Sequence, residues 1–252
     1  MISFLLALQF LTIIPIKVRN FAESKLAKSM MFFPVIGLLI AFSLIGVNSL
    51  FLFLGFKGII LNVILIVALI ILTGGMHLDG LSDTFDAIAS AKSKDKMLEI
   101  MRDPHCGVMG VLSIICIILL KIFFLSFVPG AHKIGAIILM CVFSRWSMVF
   151  LIFSFPYARN EGKGKIFSQG INQEILMIAT LFAMICAAVI FKITGFLILA
   201  LTALVAYTFG KIITKKIGGI TGDVLGATNE LVETVVLLTI CILERVGLSW
   251  MM

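Results

Sequence analysis

Charge is what this sequence lacks most. Of its 252 residues only 13% are Asp, Glu, Lys or Arg, against about 25% in soluble domains. A soluble chain of this length needs many more polar residues to cover its surface. An ordinary cytosolic enzyme, a nucleic-acid-binding module and a disordered chain are therefore excluded. Cysteine is sparse and unpatterned: Cys106, Cys116, Cys141, Cys186 and Cys241 form no C-x-x-C pair, and most sit in apolar runs. They read as small buried hydrophobes rather than zinc ligands or a disulfide framework; only Cys106, beside His105, lies at a polar boundary. Residues 1–14 hold neither a basic n-region nor a small-residue cleavage site, so no cleavable signal peptide is expected. Acid is the scarcer charge, with 13 Asp and Glu against 20 Lys and Arg.

What the chain has in bulk is apolar surface: 61% hydrophobic residues and a mean hydropathy of +1.20. About 20 mostly apolar residues cross a bilayer. Such runs occupy residues 30–56, 58–76, 107–128, 134–155, 174–191, 193–210 and 224–243. The fold class implied is all-α, a polytopic integral membrane helix bundle of about seven spans, in the range six to eight, forming one domain over residues 1–252. Only Lys192 separates the fifth run from the sixth. Residues 1–16 are apolar but short and closed by Pro15, which suits an interfacial or bundle-packed helix. Pro34 either kinks the first span or sits in its first turn.

Orientation follows from counting. With a cytoplasmic N-terminus and a reversal at each span, one side receives Lys17, Arg19, Lys25, Lys28, Lys92, Lys94, Lys96, Arg102, Arg159, Lys163, Lys165, Lys211, Lys215 and Lys216. That is 14 of the 20 basic residues; Lys57, Lys133, Lys192 and Arg245 fall opposite, and Lys121 and Arg145 lie inside spans. The positive-inside rule expects this bias, which makes the net charge of +7 mainly a topological signal.

The few carboxylates are grouped. In T-G-G-M-H-L-D-G-L-S-D-T-F-D, residues 73–86, Asp79, Asp83 and Asp86 stand at i, i+4 and i+7 and share one helical face. Like charges at that spacing repel. A divalent cation would relieve the repulsion, and hard carboxylate oxygens suit Mg²⁺ or Mn²⁺. A solvated polar face on a loop helix is the plainer alternative. The second group opens the last span: G-G-I-T-G-D-V-L-G-A-T-N-E-L-V-E, residues 218–233, sets Asp223 and Glu230 on one face with Asn229 and Glu233 flanking it. Ionisable groups within a span are costly and usually functional, although polar contacts between packed helices would also account for them.

Cations are expected on the same side. Arg102 and His105 lie in E-I-M-R-D-P-H-C-G, residues 99–107, and Arg159 and Lys163 in P-Y-A-R-N-E-G-K-G-K, residues 156–165. Each loop alone is explained by topology, but Arg and Lys also bind phosphate oxygens. Arg145, mid-span, requires either an intramembrane carboxylate or a substrate phosphate. Carboxylate-held metal with Arg and Lys is the equipment for transferring a phosphoryl group from a diphosphate. A divalent-cation transporter explains the carboxylates but not the basic, glycine-rich loops.

In chain order the sequence carries F-L-T-x-x-P from Phe10, F-F-P-x-x-G from Phe32, G-G-x-H-x-D-G-x-x-D-x-x-D from Gly74 and M-R-D from Met101 with Gly107 and Gly110. P-Y-A-R follows from Pro156 with Gly162 and Gly164, and G-D-x-x-G-A-x-x-E-L-x-E from Gly222. This series resembles the cobalamin synthase family, the adenosylcobinamide-GDP ribazoletransferases of bacteria and archaea. CDP-alcohol phosphotransferases share part of the aspartate pattern, but this chain lacks their Ala-Arg after Asp-Gly and their longer spacing to the later aspartates.

The resemblance implies an enzyme, a transferase of substituted phosphate groups. A hydroxyl of α-ribazole, or of its 5′-phosphate, attacks the phosphoryl group on the cobinamide side chain, and GMP leaves. On this reading Asp79, Asp83 and Asp86 hold Mg²⁺, and His77 orients a carboxylate or takes the hydroxyl proton. Arg102, Arg159 and Lys163 contact phosphates, and Asp223 and Glu230 serve a second metal or the incoming ribose. The implied partners are the two small-molecule substrates and the lipid bilayer, with no nucleic acid; self-association or association with other enzymes of the pathway stays open. The implied location is the cytoplasmic membrane, with the active site facing the cytoplasm. A CDP-alcohol phosphotransferase and a divalent-cation transporter are the alternatives.

Overall fold

The structure, a computed structural model, describes residues 1–16, 18, 21–159 and 163–247. Apart from one isolated bridge, the regular structure among them is helical: α1 (Ile2–Leu11), α2 (Glu23–Ala27), a 3-10 turn (Lys28–Phe32), α3 (Phe33–Phe53), α4 (Gly58–Thr73), α5 (Met76–Ala89), α6 (Lys94–Ile100), α7 (Val108–Phe127), α8 (Gly130–Ser154), α9 (Lys163–Gly170), α10 (Gln173–Ile217) and α11 (Gly222–Arg245). Five are long and apolar enough to cross a membrane, or six if the bent pair α4–α5 is one broken span. That marks a multi-pass membrane protein.

The expected seven runs and this count differ at two places. The fifth and sixth runs lie within α10, whose helix breaks at Phe191 (φ −129°, ψ 22°) and Lys192 (φ 47°, ψ −125°). A Cβ on Gly195 would come 2.2 Å from the carbonyl oxygen of Ala187. Residues eight apart touch in this way only where the chain folds back, so α10 is two arms closed on each other at small residues. The second run ends in α4, which Gly74 (φ 64°) and Gly75 (φ 69°) join to α5. Left-handed backbone at two successive residues is cheap only for glycine, and it bends the pair by 90°. Pro34 occupies the first turn of α3, where its missing N–H costs no helical bond.

Burial sorts the helices into layers. The most apolar stretch of α8 is 89% buried, whereas that of α7 is 22% buried and presents Leu119, Leu120 and Phe123 outward. Thus α8 forms the centre and α7 an apolar periphery of the kind that faces lipid. Close approach is built on glycine: a Cβ on Gly37 of α3 would meet the Cys141 carbonyl of α8 at 2.3 Å. The end of the bundle remote from the acidic motifs is tied by polar contacts. Lys133 Nζ donates to Asn62 Oδ1 (2.6 Å), Asn62 Nδ2 to Ser126 Oγ (2.8 Å), and His132 pairs with Glu244.

Candidate active site

α5 packs against α11 with its direction reversed. A Cβ on Gly80 would lie 2.7 Å from the Asp223 carbonyl, and one on Gly226 3.1 Å from the His77 carbonyl. The two acidic motifs therefore meet through glycine faces. A second junction brings in the loop after α8: Ala158 N–H donates to Ile220 O and Ile220 N–H to Pro156 O, both at 2.8 Å, as one parallel bridge. It sets Arg159 beside the start of α11. Arg159 donates from Nη2 to Asp223 Oδ2 at 2.7 Å, and Thr221 caps α11 by accepting from Val224 N–H.

Two cavities open around these residues. The inner one, about 310 Å³, has His77, Asp79, Tyr157, Arg159 and Asp223 as its charged or titratable lining and Phe10, Met148, Phe167 and Leu225 among its apolar walls. The outer one, about 360 Å³, is lined by Asp79, Ser82, Asp83, Arg102, Asp103 and Cys106 among others. Asp79 belongs to both. Of the residues expected to act, six thus converge: His77, Asp79, Asp83, Arg102, Arg159 and Asp223. The Lys163 side chain lies outside the described residues.

Asp86 and Glu230 stand elsewhere. Asp86 accepts the Gly107 N–H at 2.7 Å and the Gly110 N–H at 2.8 Å, one on each carboxylate oxygen, and so caps the start of α7. Both glycines are required for that approach, since a Cβ would come 2.4 Å or closer to the carboxylate. Glu230 is buried and accepts from Lys121 Nζ at 2.6 Å. Lys121 also pairs with Glu233, which receives Arg145 Nη1 at 2.5 Å and Asn229 Nδ2 at 3.1 Å. Two cations and two anions thus cancel within the bundle. Arg145 finds an intramembrane carboxylate, the first of its two expected partners.

Charged loops and buried hydroxyls complete the site. Asp103 accepts from the His105 N–H at 3.0 Å and pairs with its ring at 2.7 Å, and these hydrogen bonds hold its carboxyl below the ordinary range. Burial pushes the Tyr157 phenol up, away from neutral pH, where a phenol is in any case protonated. A Cβ on Gly164 would lie 2.4 Å from Tyr157 Oη, so α9 closes on this ring only because residue 164 is glycine. His77 is 2% exposed, and neither ring nitrogen has a hydrogen-bond partner among the described residues.

Among the described residues no group of three His, Cys, Asp or Glu is drawn together closely enough to hold a metal. Asp79 and Asp83 line one cavity with hard oxygens, and Mg²⁺ is commonly held by one or two carboxylates with substrate phosphates completing the shell. The residues fit Mg²⁺ in that shared manner and do not form a three-carboxylate cage.

The family model for cobalamin-5-phosphate synthase matches residues 3–241. This chain belongs to the cobalamin-5-phosphate synthase family. The adenosylcobinamide-GDP ribazoletransferase of Fusobacterium nucleatum subsp. nucleatum is 40% identical to this member, over 91% of the chain and 93% of the relative. Proteins of the same name from Clostridioides difficile and Roseiflexus sp. are 36% and 37% identical, over 95% and 93% of this chain and 97% and 87% of theirs. No solved structure matches the family member described here. Membership decides among the three readings left open by the residues, and it favours the transferase.

Sequence reasoning did not reach Phe167, or Lys121 as the partner of Glu230 and Glu233. Phe167 sits on a short helix of low apolarity that no span pattern marks. The buried network had one available signal, since Lys121, Arg145, Glu230 and Glu233 all fall within apolar runs and sum to zero charge.

Proposed function

We infer that this chain is an adenosylcobinamide-GDP ribazoletransferase whose reaction takes place where the two cavities meet at Asp79. The observation that carries this placement is the double lining: Asp79 faces both cavities, so a substrate held in each meets the other beside one carboxylate. The diphosphate lies in the outer cavity against Arg102. Asp79 and Asp83 hold Mg²⁺, which when bound offsets charge on the diphosphate and so favours loss of GMP. The α-ribazole occupies the inner cavity. Its hydroxyl oxygen bonds to the phosphorus on the cobinamide, the bond from that phosphorus to GMP breaks, and His77 takes the hydroxyl proton at a ring nitrogen. The Arg159–Asp223 pair orients the incoming ribose and Tyr157 donates to it. Asp86 acts indirectly, by fixing α5 against α7.

The membrane arrangement proposed has seven crossings: α3, the broken α4–α5, α7, α8, the two arms of α10, and α11. The fold-back at Lys192 supports the two-arm count. The N-terminus and the site face the cytoplasm, and the protein lies in the cytoplasmic membrane. This is supported by Arg102, Arg159 and Lys94, which lie at the site end, while Lys133 and Arg245 gather at the other. Purified protein with Mg²⁺ is expected to release GMP from adenosylcobinamide-GDP only when α-ribazole or its phosphate is added. Failure to release GMP under those conditions overturns the reading, and removal of Mg²⁺ by a chelator is expected to stop release reversibly.

A further inference from the structure

We propose that the inner cavity is a receptor for the flat, apolar base of the incoming nucleoside, formed chiefly by Phe10 and Phe167. The inference rests on the transferase reading and adds to it which part of which substrate each cavity takes. Size is the first argument. A volume of about 310 Å³ is at the small end of ligand pockets; it suits a nucleoside and is far too small for a corrin ring. The corrinoid must stay outside, with only its phosphate-bearing arm reaching Asp79.

Wall chemistry is the second argument. Phe10 and Phe167 stand with ring centroids 5.1 Å apart at 66°, and Phe33 backs both at 5.9 Å. Phe167 is 1% exposed and held by this packing, so its ring is pre-positioned. Met148 and Leu225 add further apolar wall. Two bases enter the reaction, guanine and a dimethylated benzimidazole. Guanine presents donors and acceptors around its edge, and burying them among Phe, Met and Leu costs free energy for each one left unpaired. A dimethylbenzimidazole has an apolar edge and two ring nitrogens, one of them joined to the ribose, and gains from the same walls.

The third argument is an unmet polar group. His77 is buried in the cavity wall with both ring nitrogens unpartnered. A buried polar group left unsatisfied costs about 1–3 kcal/mol. A nucleoside that places its base among the phenylalanines brings its ribose hydroxyls to the polar part of the lining, which includes His77, Asp79 and Tyr157. The cost is then recovered only when the nucleoside is present, and the hydroxyl is delivered to the group that takes its proton.

The test uses the full chain in lipid nanodiscs with Mg²⁺. Equilibrium dialysis with α-ribazole alone, without corrinoid, reads binding directly; wild type is expected to bind it, and Leu225→Trp, which fills the cavity, is expected to lose it. Base-on-aromatic stacking is worth about 1–3 kcal/mol, so Phe10→Ala is expected to raise the KM for α-ribazole about 5- to 150-fold. The KM for adenosylcobinamide-GDP is expected to stay within about twofold, the pattern of lost binding to one substrate. Phe10 is half-buried, so this variant is milder on folding than Leu225→Trp. A rise in the KM for adenosylcobinamide-GDP instead overturns the proposal and gives the cavity to guanine. An unchanged KM for α-ribazole in folded Phe10→Ala, or absence of nucleoside binding by wild type, overturns it as well. Wild type that binds α-ribazole but releases no GMP keeps the receptor and removes the transferase reading, so the two failures are distinct.

Discussion

The carboxylates of α5 and those in the interior of α11 have the same chemistry and opposite surroundings. Glu230 and Glu233 meet Lys121 and Arg145 within the bundle, so their charge is cancelled by the protein itself. Asp79 and Asp83 line an open cavity, and among the described residues neither makes an ion pair within the protein. An acid in a membrane protein whose charge is already matched holds helices together; one whose charge is left unmatched is available to a ligand. Asp223 lies between the two cases, on the same helix as the paired glutamates but at its cavity end, with Arg159 as a partial match.

That contrast can be broken most sharply at Asp83. Asp83→Asn is expected to lower GMP release by on the order of 10³-fold, as for loss of a charge-stabilising group. Because it also removes one of three clustered like charges, its thermal midpoint in detergent should equal or exceed that of wild type. Turnover close to wild type would remove the metal assignment. Glu233→Ala should behave in the opposite way: Lys121 keeps Glu230, but Arg145 loses its carboxylate and is left as an uncompensated buried charge, a loss of about 3–5 kcal/mol. The expected readout is a lower thermal midpoint and less folded protein, with any residual folded fraction retaining its KM values. A Glu233→Ala protein as stable as wild type would show that the network is not structural.

Gly110→Ala sharpens the position of Asp86. Its Cβ would lie 2.3 Å from the Asp86 carboxylate, so α5 or α7 must move, at a cost of about 1–3 kcal/mol. A fall in thermal midpoint is expected together with reduced turnover, since the displaced helix carries Asp79 and Asp83. The smallest effect is expected at exposed Arg102. Arg102→Gln should raise the KM for adenosylcobinamide-GDP about tenfold, the lower range for a hydrogen bond to a charged group, and leave the KM for α-ribazole unchanged. An effect confined to α-ribazole would reverse the assignment of the two cavities.

Much of this site was legible in the chain. The i, i+4, i+7 spacing of Asp79, Asp83 and Asp86 is a local property of a helix, and the D-G-x-x-D motif names its own neighbours. The break at Lys192 was legible as a lone charge between two apolar runs. The division of labour among the acids was not. Asp86 looks identical to Asp79 and Asp83 in sequence, yet its cap on Gly107 and Gly110 joins residues more than twenty positions apart. Glu230 shares a helical face with Asp223, but two turns deeper it faces Lys121 of another helix. Phe167 was hidden because an aromatic on a short polar helix carries no periodic signal, and only packing against Phe10 and Phe33 gives it a role.

The sequence by itself determined the solvent, the class and the family: apolar runs must be buried in lipid or in each other, scarce acids must be grouped for a reason, and ordered motifs match one family along nearly the whole chain. These are properties of composition and of near neighbours, where physical cost depends on few residues. Which carboxylate is neutralised and which is left for substrate, and which apolar side chains line a cavity rather than a core, depends on contacts between helices far apart in the chain. Tertiary structure decided those, because the energy of a buried charge or an open cavity is set by what lies opposite it.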